Sequence, residues 1–175
     1  MSRIALIFGS ISGAFMVFMF FIVGIVLGPD SNFDIAEWIG YASMIIALSL
    51  IFVGVKSFRD KNQSGTISFG KAVQVGVMIT LVASVIYAFG WLLYSSTMDP
   101  EFGDRYFNQQ IEQLRNSDES EDVIKERIDQ MQQFKEMYEN PLIQVGFSFL
   151  EIFPIGLIVT LICAYLLKNN KPDQA

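Results

Sequence analysis

The stretch LIQVGFSFLEIFPIGLIVTLICAYLL, residues 142–167, decides the fold of this chain. It is long enough for a helix that crosses a bilayer, which takes about 20 apolar residues. Its one charged side chain, Glu151, lies near the middle. Insertion of a charge at that depth costs about 2.5–3.5 kcal/mol, and the surrounding Leu, Ile, Val and Phe residues offset that cost. The stretch therefore predicts a membrane-spanning helix with an acid inside it, and we expect a function to involve the residues around Glu151.

The composition of the whole chain is that of a membrane protein. Of its 175 residues, 52% are hydrophobic and 17% are charged, and the apolar residues form long blocks. A soluble core would instead require apolar and polar residues to alternate at the helix or strand period. The net charge of −6 and the lack of a basic cluster exclude nucleic acid as a partner.

The residues that usually carry chemistry are scarce in this sequence. There is no histidine, and the single cysteine, Cys163, lies inside the last apolar block, so neither an intramolecular disulfide nor a zinc site of Cys and His ligands can form. The acidic run at residues 118–122 lacks the glycine and the final glutamate of a calcium-binding EF-hand loop. The sequence contains no nucleophile-base arrangement or phosphate loop, so it predicts a protein without a cofactor that is not an enzyme.

Apolar blocks along the chain predict an all-α integral membrane four-helix bundle. The predicted spans are residues 4–27, 39–55, 72–94 and 142–167. A cleaved signal peptide is the alternative for the first block, but its apolar region is usually about 7–15 residues and the A-x-A pattern is missing before Gly28. We therefore expect the first block to stay in the membrane.

Residues 95–140 differ in character from the spans. They contain twelve acidic and five basic side chains, and apolar residues recur at helical spacing on both sides of an interruption at residues 116–120. This pattern predicts two amphipathic helices that form a hairpin outside the membrane between the third and fourth spans. Their apolar stripes can be buried against each other, against the loop after Asp30 or against a partner.

The basic residues are unevenly distributed between the two ends of a four-span bundle. One end would hold Arg3, Lys56, Arg59, Lys61, Lys71, Lys168 and Lys171. The positive-inside rule then places both termini and the predicted loop 56–71 in the cytoplasm, and the acidic insertion outside. Within that loop Gly65 suits a turn, Ser68 is a candidate helix cap, and Lys56, Arg59, Lys61 and Lys71 are candidate topology anchors, with lipid headgroup binding as the alternative.

Small residues at helical spacing predict close helix contacts. The candidate packing glycines are Gly9, Gly13, Gly24, Gly28, Gly40 and Gly76. Small residues let transmembrane helices approach closely, within one chain or between chains. We therefore expect the bilayer as surroundings and, as partner, a second copy or another membrane protein.

Polar residues around Glu151 predict a seam in the middle of the membrane. Gln144 and Ser148 share the face of Glu151, and Pro154 lacks the amide that would bond a preceding carbonyl in the helix. Two interpretations are open. Glu151 binds a cation or carries a proton, or it is a hydrogen-bonded carboxyl that holds helices together, with Thr80 or Ser84 as candidate partners.

The chain also resembles a known family. The matching stretches are EWIGYASMIIALS (37–49), FVGVKSFRD (52–60), GTISFGKA (65–72), FKEMYENP (134–141) and EIFPIGLIVTL (151–161). In combination they resemble the domain-of-unknown-function 4199 family of small bacterial membrane proteins. The resemblance implies a four-span protein of the cytoplasmic membrane with an outward helical insertion, and it implies no activity.

Together these observations favour a non-enzymatic structural, assembly or regulatory component of a membrane complex in the bacterial inner membrane. The alternative is a small ion- or proton-coupled transporter or channel subunit in which Glu151 titrates. A hydrated cavity at Glu151 would favour the alternative, and a dry, hydrogen-bonded Glu151 would favour the first interpretation.

Overall fold

The computed structural model describes residues 1–28 and 33–168, which form six α-helices and no β-strand. The helices are α1 (Ser2–Leu27), α2 (Phe33–Asn62), α3 (Phe69–Thr97), α4 (Phe102–Arg115), α5 (Glu121–Tyr138) and α6 (Pro141–Leu167). Four of them, α1, α2, α3 and α6, are long and apolar enough to cross a membrane. The all-α class and the four apolar helices predicted from the sequence are confirmed.

Helix α2 is longer than the predicted span 39–55, because it begins at Phe33 and ends at Asn62. Lys56, Arg59 and Lys61 therefore lie on its last two turns, and the prediction that they belong to a loop is wrong. The change from apolar to charged residues marks the edge of the apolar block, but Lys and Arg are good helix formers and do not end a helix. Residues 29–32, where the loop between the first two predicted spans begins, lie outside the described residues.

The connection between α2 and α3 is a short turn. Gly65 has a φ of 84°, in the left-handed region that suits glycine. Ser68 precedes α3, and its hydroxyl oxygen accepts a hydrogen bond from the amide of Lys71 at 3.4 Å. The turn at Gly65 and the cap at Ser68 are as the sequence predicted, and together they bring α3 back beside α2.

Helices α3 and α6 meet through the same short pattern on each, GVMIT at residues 76–80 and GLIVT at residues 156–160. The methyl group of Thr160 lies over Gly76, and that of Thr80 lies over Gly156. The two threonine hydroxyls share a hydrogen bond of 3.2 Å. Glycine leaves room for each threonine, so the two helices pack closely and bury all four residues.

Helix α1 also packs on α3 through glycines. A Cβ atom added at Gly9 would come within 2.6 Å of Val82, and one added at Gly13 within 2.7 Å of Ile86. On its α2 side, α1 uses Ser12, whose hydroxyl donates to the carbonyl oxygen of Ala47 at 2.9 Å. Helix α3 thus lies at the centre of the bundle, between α1 and α6.

Helices α4 and α5 pack on each other beyond the ends of α3 and α6. The ring centroids of Phe107 and Phe134 are 6.0 Å apart, and Lys135 forms an ion pair with Asp104 at 2.5 Å. A second link fixes α5 to the membrane helices, since the indole nitrogen of Trp91 donates to the Tyr138 hydroxyl at 2.9 Å. The acidic helices therefore form one wall of the space between the membrane helices at this end.

Candidate functional site

A cavity of about 650 Å³ opens at the end of the bundle where α4 and α5 lie. All six helices contribute residues to its wall. A cavity of this size could admit a small-molecule ligand.

Glu151 lies on the wall of this cavity. It is ten residues into α6, which is about 15 Å along the helix axis. Its Oε2 atom accepts a hydrogen bond from the Tyr87 hydroxyl at 3.1 Å, yet the residue as a whole is exposed. None of the ion pairs within the described ranges involves Glu151. The carboxyl group is thus held by one helix and open to the cavity.

The predicted partners of Glu151 were wrong. Thr80 bonds to Thr160 instead, and the buried hydroxyl of Ser84 has no hydrogen-bond partner in the structure. A short side chain on α3 stays within the helix interface, whereas the long side chain of Tyr87 carries its hydroxyl across to α6. The signal that could have identified Tyr87 is its polar tip in an otherwise apolar span.

Two other acids and one base line the cavity. Arg105 contacts both carboxylate oxygens of Asp99 at 2.7 Å, so these two charges offset each other. Glu37 is exposed on α2 and, like Glu151, takes part in no ion pair among residues 1–28 and 33–168. The cavity therefore holds two carboxyl groups without a basic partner.

Aromatic rings make up much of the remaining wall. The ring of Phe20 lies 5.1 Å from that of Tyr87 and 5.2 Å from that of Trp91, and Trp91 meets Phe102 edge-on at 5.0 Å. These separations are those of favourable aromatic pairs. Residue spacing along one sequence could not have shown that rings from several helices converge here.

Tyr138 closes the aromatic wall from α5. Burial raises the pKa of Tyr138, while hydrogen bonds from Trp91, Ser148 and Gln144 act in the opposite direction. The hydroxyl therefore stays protonated at neutral pH. Ser148 is buried and lines the cavity, whereas Gln144 does not line it. The sequence predicted both residues as neighbours of Glu151, and both act on the Tyr138 hydroxyl.

Pro154 lies away from the cavity. It is exposed, and α6 continues through it without interruption from Pro141 to Leu167. One turn separates it from Glu151, and it does not line the cavity wall. The structure does not bring Pro154 into the polar seam that the sequence predicted.

The predicted packing glycines divide into two groups. Gly24 lies against the Tyr94 side chain, and Gly9, Gly13 and Gly76 have the helix contacts described above. In contrast, no atom lies within 4 Å of where a Cβ would be at Gly28 or Gly40. These two glycines line the cavity and make no helix contact among the described residues, so packing against another chain stays a prediction for them.

The predicted basic anchors lie at the opposite end of the bundle from the cavity. Lys56 and Lys61 are exposed, Arg59 pairs with Asp60 at 2.7 Å, and the amine of Lys71 donates to Gln74 at 3.1 Å. None of the four lines the cavity. These four residues are therefore not part of the site, and their contacts do not indicate a ligand that they share.

The described residues contain no group of three His, Cys, Asp or Glu side chains that could hold a metal ion. What the fold and the cavity define is a multi-pass membrane protein with a one-ended, aromatic-lined cavity. The chain belongs to the family described as "Protein of unknown function (DUF4199)", whose model matches residues 7–169. The resemblance identified from the sequence is thereby confirmed. No curated protein and no solved structure matches the chain.

Proposed function

We propose that this protein is a non-enzymatic regulatory or assembly component of the bacterial inner membrane that binds a small molecule in the cavity at Glu151. Both termini lie in the cytoplasm, and the cavity with α4 and α5 faces the extracytoplasmic side. The charges support this orientation, because the bases of α2 and α3 lie at one end and the acidic helices at the other.

One observation carries the proposal: an unpaired carboxyl group inside a membrane helix faces a cavity of about 650 Å³. Ligand sites in proteins are typically about 300–1,000 Å³ and combine apolar walls with a few polar groups. Placing a carboxyl group inside a membrane helix is costly, and a ligand bound to Glu151 would offset that cost.

The bundle is closed beyond Glu151, which favours binding over conduction. On the side away from α5, the side chains of Ile79, Thr80, Ile152 and Thr160 each have 0% of their surface exposed. The hydrogen bond between the two threonines lies across this layer. A ligand could therefore enter and leave from one side only in this conformation.

A second candidate function is an ion- or proton-coupled transporter subunit that uses Glu151. Exposure of the carboxyl group to the cavity favours it. Transport would need the layer of Thr80 and Thr160 to open, and four spans leave little room for that in a monomer. In proteoliposomes, cation flux that the Glu151→Gln variant abolishes would support this candidate over the first.

Assembly with other chains would use surfaces other than the glycines. Gly9, Gly13 and Gly76 are occupied inside the monomer by side chains of α3 and α6. Exposed apolar residues such as Trp38 and Leu142 are what the bundle offers to a second copy or to another membrane protein. Purification in mild detergent, with the retained proteins identified by mass spectrometry, tests for such a companion.

Cysteine labelling tests the cavity and its orientation together. Cys163→Ala removes the only cysteine, and Gly40→Cys then places a thiol in the cavity wall where no atom lies within 4 Å. The control is Gln63→Cys in the turn between α2 and α3, where the side chain is exposed.

In spheroplasts, a membrane-impermeant maleimide is expected to label the Gly40→Cys variant and to label the Gln63→Cys variant only after lysis. The reverse pattern would contradict the orientation. A Gly40→Cys variant that resists labelling before and after lysis would show that the cavity is closed, and the proposed function would then be wrong.

A further inference from the structure

We propose that the cavity is selective for an organic cation, a positively charged head carried on an apolar body. This inference rests on the proposed function and narrows its ligand to one charge class.

The charges of the wall favour a cation. Arg105, the only basic residue that the described part of the chain contributes to the lining, is engaged with Asp99 through two contacts of 2.7 Å. Glu37 and Glu151 remain, and each lies within electrostatic reach of the other. Two like charges that share a cavity repel each other, so a positively charged ligand is attracted by both and an anion is repelled by both.

The rings next to Glu151 favour the same charge. Tyr87 donates its hydroxyl hydrogen to Glu151, and its ring contacts Phe20, which in turn contacts Trp91. The faces of aromatic rings attract cations, and the attraction is stronger when the site is shielded from water. The Glu151 carboxylate and the faces of these rings thus attract a cation to the same region of the cavity.

The apolar remainder of the wall favours a ligand with an apolar body over a bare inorganic cation. Met16, Met19, Phe21 and Met44 are part of the lining and offer no oxygen ligand. Calcium and magnesium ions need about six or more oxygen ligands, some of them waters, whereas methionine side chains adapt to apolar ligands of varied shape. The cavity volume of about 650 Å³ suits a drug-sized molecule.

Tetraphenylphosphonium and tetraphenylborate are probes of nearly the same size and shape with opposite charge. Trp91 reports binding in the cavity, because Trp38, the other of the two tryptophans, is 75% exposed and can be removed by Trp38→Phe. The experiment titrates each probe into the detergent-solubilised Trp38→Phe protein and follows the fluorescence of Trp91.

We expect saturable quenching by tetraphenylphosphonium and none by tetraphenylborate. Glu151→Gln keeps the size of the side chain and removes its charge, so it should weaken binding of the cation by about tenfold or more. Glu126→Gln on the exposed face of α5 is the matched control and should leave binding unchanged.

Equal binding of both probes, or unchanged cation binding in Glu151→Gln, would overturn the charge selectivity and leave small-molecule binding in place. Absence of saturable quenching by either probe would overturn both proposals.

The positive head could belong to a membrane aminolipid or to a free amphipathic amine, and competition separates these two sources. A short-chain phosphatidylethanolamine that displaces tetraphenylphosphonium identifies the lipid headgroup. Displacement by decylamine alone identifies a free amine. Both results support the same chemistry at Glu151, and a matched short-chain phosphatidylglycerol that displaces the cation equally well would contradict it.

Discussion

The contact between Gly76 and Thr160 predicts that adding one methyl group separates α3 from α6. A Cβ atom at Gly76 would come within 2.5 Å of the Thr160 methyl and 2.9 Å of its hydroxyl oxygen. Thr160 has 0% exposure and is hydrogen-bonded to Thr80, so it cannot move aside without loss. Overpacking of this kind costs about 1–3 kcal/mol. Losing an interhelical hydrogen bond adds about 0.6 kcal/mol.

Gly40→Ala is the matched control for Gly76→Ala, because it makes the same chemical change where no atom lies within 4 Å. The two variants are unfolded with sodium dodecyl sulfate in mixed micelles, and tryptophan fluorescence gives the free energy of unfolding. We expect Gly76→Ala to lose about 1–3 kcal/mol and Gly40→Ala to stay near wild type, since the denatured helices in detergent keep most of their backbone structure.

A double variant tests the cause of the loss. Thr160→Ala removes the two side-chain atoms that the new methyl group at Gly76 would meet most closely. The double variant should therefore be more stable than the sum of the two single losses implies, by more than the roughly 0.5 kcal/mol within which independent sites add. Equal stability of Gly76→Ala and Gly40→Ala would refute the packing argument.

Three further predictions concern single polar groups. Ser84→Ala should leave the free energy of unfolding unchanged or raise it by up to about 1 kcal/mol, because the hydroxyl it removes is buried without a partner; a loss in the same detergent titration would show an unseen hydrogen bond. Tyr87→Phe should cost about 0.6 kcal/mol through its bond to Glu151, and Tyr41→Phe, which leaves that bond intact, is the comparison. Stability should decline above pH 10 or so, the ordinary tyrosine value, because burial raises the pKa of Tyr138 and the folded state holds that proton more tightly than the unfolded state. Unfolding at pH 8–12 should show a smaller alkaline loss in Tyr138→Phe, and an identical loss would mean that Tyr138 does not contribute.

The sequence was sufficient for the parts of the fold that depend on local composition. Apolar length alone located the four long helices, and helical spacing located α4 and α5. The sequence-based prediction misplaced the ends of α2, because the edge of an apolar block and the end of a helix depend on different properties. Hydropathy follows the solvent, whereas α2 ends at Asn62, just before the turn in which Gly65 has a left-handed backbone conformation.

The cavity depended on information that no single stretch contains. Glu151 could be singled out because a charge in an apolar run is expensive. Its partner Tyr87, the second acid Glu37 and the ring of Trp91 lie on other helices, and their convergence depends on where the bundle parts. The same limit applies to Gly40, since small-residue spacing predicts a contact but does not show whether the partner helix belongs to the same chain.

The arrangement of Gly76, Thr80, Gly156 and Thr160 has an approximate twofold axis through the threonine hydroxyls. The two pentapeptides are therefore interchangeable in principle: a chain with GLIVT at 76–80 and GVMIT at 156–160 would present the same surfaces to each other. A change at one of these four positions should be tolerated most readily when the residue that it contacts across the axis changes with it, Gly76 with Thr160 or Gly156 with Thr80.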